Sequence, residues 1–214
     1  MTNLFTKITR RINDYVWNLQ HKRVRKTYKQ IYHGNNPTII SCNCIGGILY
    51  HELDLQFLSP TINLYMNCED FIKFCERLEY YLSLEIVAYE GEIERDYPLG
   101  MLGDLLLYFV HYKSLEEAKS KWNSRKTRIN WDNIYIIATD RDGLTDELLA
   151  RFLALPYTNK KIFTHFSSNE KDVVYIKGYE SEKQIEGLMF KTLGGHYLID
   201  QFNWVDWLNG NDVD

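Results

Sequence analysis

With 214 residues and 25.5 kDa, the chain is long enough for one domain with a sizeable core or for two small ones. Apolar residues at 45% and charged residues at 25% exclude a disordered architecture, and the longest apolar run, residues 105–110, is far too short to cross a bilayer. The net charge of −4 hides an asymmetry: residues 1–33 carry eight of the 25 Lys and Arg against Asp14 alone (+7), leaving 17 basic and 28 acidic residues (−11) in the remainder.

The order of elements follows from periodicity and punctuation. Leu4, Phe5, Ile8, Ile12, Tyr15, Val16 and Leu19 recur at helical spacing with basic residues between them, which predicts an amphipathic helix running to about Tyr32. Asn35-Asn36-Pro37 ends it, dividing the chain into a basic arm (1–37) and a body (38–214). Thr38–Ser41 reads as a strand, Gly46-Gly47 through Leu53 as a helix, and Ile62–Met66 as a second strand. Asn67 and Asp70 frame a helix start, with Phe71, Phe74, Leu78 and Leu82 on one face. Leu84–Tyr89 is strand-like, residues 98–104 read as a loop, and residues 105–110 as an apolar strand. Ser114 and Glu117 form a capping-box pattern for a helix to about Arg128. Ile134–Thr139 is a strand, Thr145 or Asp146 caps the next helix, and 161–165 and 173–177 are strands. Ser181 and Gln184 open a helix closed by Gly194-Gly195, and a last helix spans Tyr197–Leu208. Strands alternating with helices predict a three-layer α/β fold, a mostly parallel sheet of Rossmann-like βαβ units.

In such folds ligands bind beyond the carboxyl ends of the strands. Residues placed there are Asn43, Cys44, Gly46 and Gly47 after the first strand, His111 after the apolar strand, and Asp140, Arg141 and Asp142 after 134–139. His165 and Lys177 follow the last two strands. Gly46-Gly47 resembles a turn that lets backbone approach a phosphate, although neither the dinucleotide fingerprint nor the Walker loop is present. Asp140 and Asp142 are a pair that can hold Mg²⁺ or Mn²⁺ against a diphosphate, or equally the ordinary residues of a turn. His111 has the chemistry of a general base, and Cys44 that of a nucleophile at a helix N-terminus. Arg125 and Arg128, three residues apart on a helix, are spaced to grip a phosphate. Cys42, Cys68 and Cys75 read as buried thiols of a reducing compartment, since no spacing matches a structural zinc site. The absence of a signal-peptide pattern adds the expectation of a cytoplasmic protein.

Longer strings carry a resemblance. Ile40-Ser41 with Asn43-Cys44-Ile45-Gly46-Gly47 and Tyr50, Tyr97-Pro98-Leu99-Gly100 with Leu102-Gly103-Asp104, and His111-Tyr112-Lys113-Ser114 belong to it. So do Arg128-Ile129-Asn130-Trp131-Asp132-Asn133 and Thr139-Asp140-Arg141-Asp142-Gly143. Together, over residues 38 to about 180, they resemble a bacterial family called exopolysaccharide biosynthesis proteins. The resemblance implies an α/β fold and a setting in capsule or exopolysaccharide synthesis, and assigns no catalytic residue. Cys42 and Ile45 depart from it, standing where the family has Asn and an aromatic residue.

The expectation is therefore a transferase acting on a nucleotide-activated or phosphorylated sugar. Gly46-Gly47, Asn43, Arg125, Arg128, Arg141 and Lys177 would bind phosphate or substrate, Asp140 and Asp142 metal or hydroxyl, and His111 would be the base. Residues 1–33 would rest on anionic membrane at its inner face, dock onto a polysaccharide-synthesis enzyme, or pack on the acidic body of their own or a neighbouring subunit in a homo-oligomer. Nucleic acid is disfavoured because the basic residues are confined to one arm. The competing readings are a non-catalytic scaffold of polysaccharide assembly and a hydrolase or acyltransferase using Cys44 and His111.

Overall fold

The computed structural model describes residues 2–213, with side chains from Thr9 onward, so the expected apolar positions Leu4, Phe5 and Ile8 lie outside the described side chains. A parallel sheet of order β1-β5-β6-β7 forms the centre, built from β1 (Thr38–Ser41), β5 (Ile134–Thr139), β6 (Asn159–Thr164) and β7 (Val173–Tyr175). β1, β5 and β6 are buried on both faces, and the edge strand β7 is half-buried. Ile40, Ile136, Ala138 and Ile162 project into one core, and Ile39, Tyr135, Ile137, Phe163 and Ile176 into the other. The two-residue alternation of side chains thus feeds two layers from one strand set.

The first face is covered by α3 (Cys68–Glu76), α4 (Leu78–Ser83), α5 (Leu115–Lys126) and α6 (Asp146–Leu153), the second by α1 (Thr2–Ile31), α2 (Ile45–Leu53) and α7 (Trp204–Leu208). The expected caps act as such: Asn67 accepts from Asp70 N, Ser114 from Glu117 N and Thr145 from Leu148 N. Cys42, Cys68 and Cys75 are buried free thiols, and burial pushes their pKa values upward, to about 11 for Cys42 and about 12 for Cys68. No helix among the described residues is long and apolar enough to cross a membrane.

Five expectations are corrected. Residues 98–104 are not a loop: β3 (Leu99–Leu102) pairs antiparallel with β4 (Leu105–Tyr108) through the two-residue turn Gly103-Asp104, and with β2 (Ile86–Ala88) on its other side. The apolar strand therefore belongs to a separate antiparallel sheet, and His111 does not follow a strand of the parallel one. Ile62–Met66 contributes only a bridge, Tyr65 to Tyr108, with Met66 N donating to Cys42 O. The helix expected after Ser181 is absent because its backbone donors have tertiary acceptors: Ile185 N goes to Asp140 Oδ1 and Gly187 N to Tyr179 Oη. The terminal helix is broken into a 3-10 turn (Leu198–Gln201) and α7, with the Asp200 carboxylate accepting from Tyr197 N and Trp204 Nε1.

The basic helix packs on its own body. Trp17 Nε1 donates to Thr192 O, His21 Nδ1 to Gly195 O, and Tyr28 Oη to Asp200 Oδ2. Trp17 stacks on His21 at 4.5 Å between ring centroids. Arg25 and Lys29 pair with Asp54, and Lys191 pairs with Asp14. Gly195 makes this approach possible: at φ +84°, a Cβ there would fall 2.4 Å from His21 N. Gly195→Ala is therefore expected to cost about 2 kcal/mol or more, since strain and overpacking coincide. Urea denaturation monitored by tryptophan fluorescence reads the loss.

Candidate functional site

The parallel sheet splits at one place. After β1 the chain turns into α2 on one face, and after the adjacent β5 it leaves through Asp140–Gly143 towards α6 on the opposite face. Connections that diverge in this way leave a crevice beyond the carboxyl ends of the two strands. A cleft of about 600 Å³ lies there, bordered by Asn43 and Cys44 from the first turn and by Thr139, Arg141 and Asp142 from the second. Two further walls close it. One is Tyr65, from the bridge, with Arg95, Tyr97 and Val110, from the segments flanking the β3–β4 hairpin, and the other is residues 185–190.

The first turn is held by its own side chains. Asn43 Oδ1 accepts from Ile45 N at 3.1 Å, and Ser41 Oγ accepts from Gly46 N at 3.2 Å while donating to Asn43 O at 2.7 Å. Two N–H groups at the start of α2 are thereby occupied. Gly46 and Gly47 do not face the cleft. A Cβ on Gly46 would lie 2.7 Å from Ser41 Oγ, and one on Gly47 3.3 Å from Ile62, so both glycines let α2 press against β1 and the 61–64 segment. The expected phosphate cradle is thus a packing device, and of that turn only Asn43, Cys44 and Ile45 reach the cleft. Cys44 is half-buried, and burial raises its thiol pKa. No histidine lines the cleft, and His111 sits exposed in the turn after β4, so the expected Cys44/His111 pair is not brought together.

The two carboxylates of the second turn have separate tasks. Asp140 is 4% exposed and its oxygens are spent on protein donors. Oδ1 accepts from Ile185 N at 2.8 Å, and Oδ2 accepts from His165 N at 2.7 Å and from His165 Nδ1 at 2.5 Å. Asp142 instead reaches the cleft from a backbone at φ +65°, held by its N–H to Gln184 Oε1 and its carbonyl to Cys68 N. Burial raises the Asp142 pKa, an effect that Arg141, with Nε 3.3 Å from Oδ2, opposes and that Glu186 reinforces. Arg141 also donates to Glu186 O at 3.1 Å. Burial, with the Asp142 carboxylate as a lesser cause, raises the Tyr65 phenol too. Among the described residues no three His, Cys, Asp or Glu side chains are arranged to hold a metal ion, and Asp140 is committed to its three donors. The expected Asp140/Asp142 clamp for Mg²⁺ or Mn²⁺ does not fit this donor set.

The remaining sequence candidates are dispersed. Arg125 is buried, donating to Tyr112 Oη at 2.6 Å and to Ile62 O, with its guanidinium over Phe57. It braces α5 against the 57–62 segment, while Arg128 is exposed and donates to Ser124 Oγ. One helical turn does not make them a clamp. Lys177 is exposed outside the cleft, its backbone paired to the Gln201 side chain. Missed from sequence were Tyr65, Arg95, Tyr97, Glu186 and Phe190, which belong to no strand end of the parallel sheet. Gly103-Asp104 between two apolar runs was the available signal for the hairpin that brings Arg95 and Tyr97 near.

Removing Asp140 leaves N–H groups unpaired both at His165, just past β6, and at Ile185 in the 185–190 wall. Asp140→Ala is expected to lose roughly 2–4 kcal/mol, and Asp142→Ala under about 1 kcal/mol. Denaturation midpoints compare the two, and faster amide exchange at Ile185 in Asp140→Ala checks the cause.

Residues 15–209 match the family described as a domain of unknown function (DUF1919), which covers the parallel sheet, both cleft turns and the 185–190 wall. An uncharacterized protein of Haemophilus influenzae is 36% identical over 209 residues, 97% of this chain and 98% of that protein. With nearly its whole length matched, the chain belongs to the DUF1919 family.

Proposed function

We propose that the protein is a transferase of bacterial exopolysaccharide or capsule biosynthesis that binds a nucleotide-activated or phosphorylated sugar in the cleft beyond β1 and β5. The observation that carries this reading is convergence. Asn43-Cys44, Tyr97 and Arg141-Asp142, from three strings of the exopolysaccharide resemblance far apart in sequence, border one 600 Å³ cleft. A sugar diphosphate matches its chemistry. Arg95 and Arg141 offer guanidinium donors for phosphate oxygens, and Tyr65, Tyr97 and Phe190 offer aromatic faces for a sugar ring.

The reaction needs a base where the acceptor hydroxyl sits, and Asp142 is the carboxylate with a raised pKa in the cleft. Asp142 takes the proton of the acceptor hydroxyl as its oxygen bonds to the anomeric carbon. The bond from that carbon to the phosphate oxygen breaks, and the leaving phosphate departs with the electron pair, its charge met by Arg141 and Arg95. Asp140 is a positioning residue in this scheme, fixing Ile185 and with it the facing wall.

Calorimetric titration with a panel of nucleotide-diphosphate sugars and sugar phosphates tests the reading. Binding is expected for at least one of them, weakened about tenfold or more in Arg95→Ala. Asp142→Asn is expected to keep binding and lose about 10²–10⁴ in turnover. The raised carboxyl must be ionised to act, so the wild-type rate falls as pH drops through a value higher than that of a free Asp side chain, a limb that Asp142→Asn lacks. Failure of every probe to bind, together with full glycan production in cells carrying Asp142→Asn, would sink the proposal.

A further inference from the structure

The helix α1 has two opposite faces, and the body uses only one. Trp17, His21 and Tyr28, spaced four and seven residues apart, turn inward onto the body. Ile12, Tyr15, Val16 and Leu19, spaced three and four apart, point outward and are 56%, 65%, 45% and 47% exposed. Four large apolar side chains in two adjacent turns are an unusual outlay for a surface that water alone would cover.

Charge says what covers it. Arg11, Lys22 and Arg23, three or four residues from members of the apolar stripe, and Lys26, one turn further on, are exposed on the same outward side, and none of them forms an ion pair. Arg25 and Lys29 are treated differently, being paired with Asp54 on the body side. Asp14, the one acidic residue among 9–31, is paired with Lys191. The outward surface is thus apolar along its middle, basic along its margins, and free of carboxylates. A second copy of this chain, presenting the same face, would bring like charges together. An anionic bilayer offers opposite charge and an apolar interior within one side chain's reach.

We propose that the outward face of α1 is a docking surface for anionic lipid, the helix lying in the plane of the interface. Ile12, Tyr15, Val16 and Leu19 insert between acyl chains, and Arg11, Lys22, Arg23 and Lys26 meet lipid phosphates. The helix is fixed to the body through Trp17, His21 and Tyr28, so docking also sets the orientation of the domain at the membrane. This inference stands independently of the reaction assigned to the cleft.

Vesicle co-sedimentation of the full chain is the test, with phosphatidylcholine alone and with phosphatidylcholine containing phosphatidylglycerol. Partitioning onto the anionic vesicles is expected to exceed that onto neutral ones by about tenfold or more and to fall steeply with added salt. Val16→Glu with Leu19→Glu is expected to abolish it, and Lys22→Glu with Arg23→Glu to remove its salt-sensitive part. All four positions are exposed, so unfolding midpoints should be unchanged, which separates lost docking from lost folding. Equal partitioning onto both vesicles, or none onto either, would overturn the proposal. So would a dimer in sedimentation equilibrium that Val16→Glu/Leu19→Glu dissolves while lipid binding is absent, since the second copy would then be what covers the face.

Discussion

The Asp140 carboxylate is the constraint around which the site end of the molecule is arranged. It terminates β5, is almost wholly buried, and accepts from the backbone N–H and the ring of His165, just past the adjacent strand β6, and from one backbone N–H on the 185–190 segment. A buried charge survives only when donors surround it, so the two segments that supply those donors must come to it. The same bond to Ile185 helps prevent residues after Ser181 from winding into the helix their text suggests. The wall of the cleft is therefore a consequence of where a carboxylate is buried.

Cleft lining and scaffold divide between two carboxylates two positions apart. Asp140 points into the structure and Asp142 into the cleft, because a left-handed backbone at Asp142 turns the chain between them. A similar division occurs on α5, where Arg125 lies buried under Tyr112 and over Phe57 while Arg128 stays in solvent. Residue type and spacing suggested two pairs of partners. Burial separated each pair into one member that holds the fold and one that is free to meet something else.

The charge asymmetry has a structural meaning as well. Carboxylates of the body neutralise part of the arm, Glu52 and Asp54 facing Arg25 and Asp54 also pairing with Lys29. Arg11, Lys22, Arg23 and Lys26 stay unpaired on the opposite side of the helix, along an apolar stripe. The average of −4 describes neither surface.

Much of the fold was legible in the sequence, since its signals are local. β-branched runs, capping residues and Pro37 located β1, β5, β6 and most of the helices to within a few residues, and their alternation gave the parallel three-layer class. Apolar periodicity also revealed that the N-terminal helix is amphipathic, and the charge count that it is basic. Tertiary structure alone decided which face of that helix turns inward, because Trp17, His21 and Tyr28 are chosen by their hydrogen-bond partners at Thr192, Gly195 and Asp200, some 175 residues away. It alone removed β4 and His111 from the parallel sheet, brought Arg95 and Tyr97 to the cleft, and turned Gly46-Gly47 into a packing surface. Each of these depends on contacts between segments distant in sequence, where periodicity carries no information and the competition for buried donors and acceptors sets the outcome.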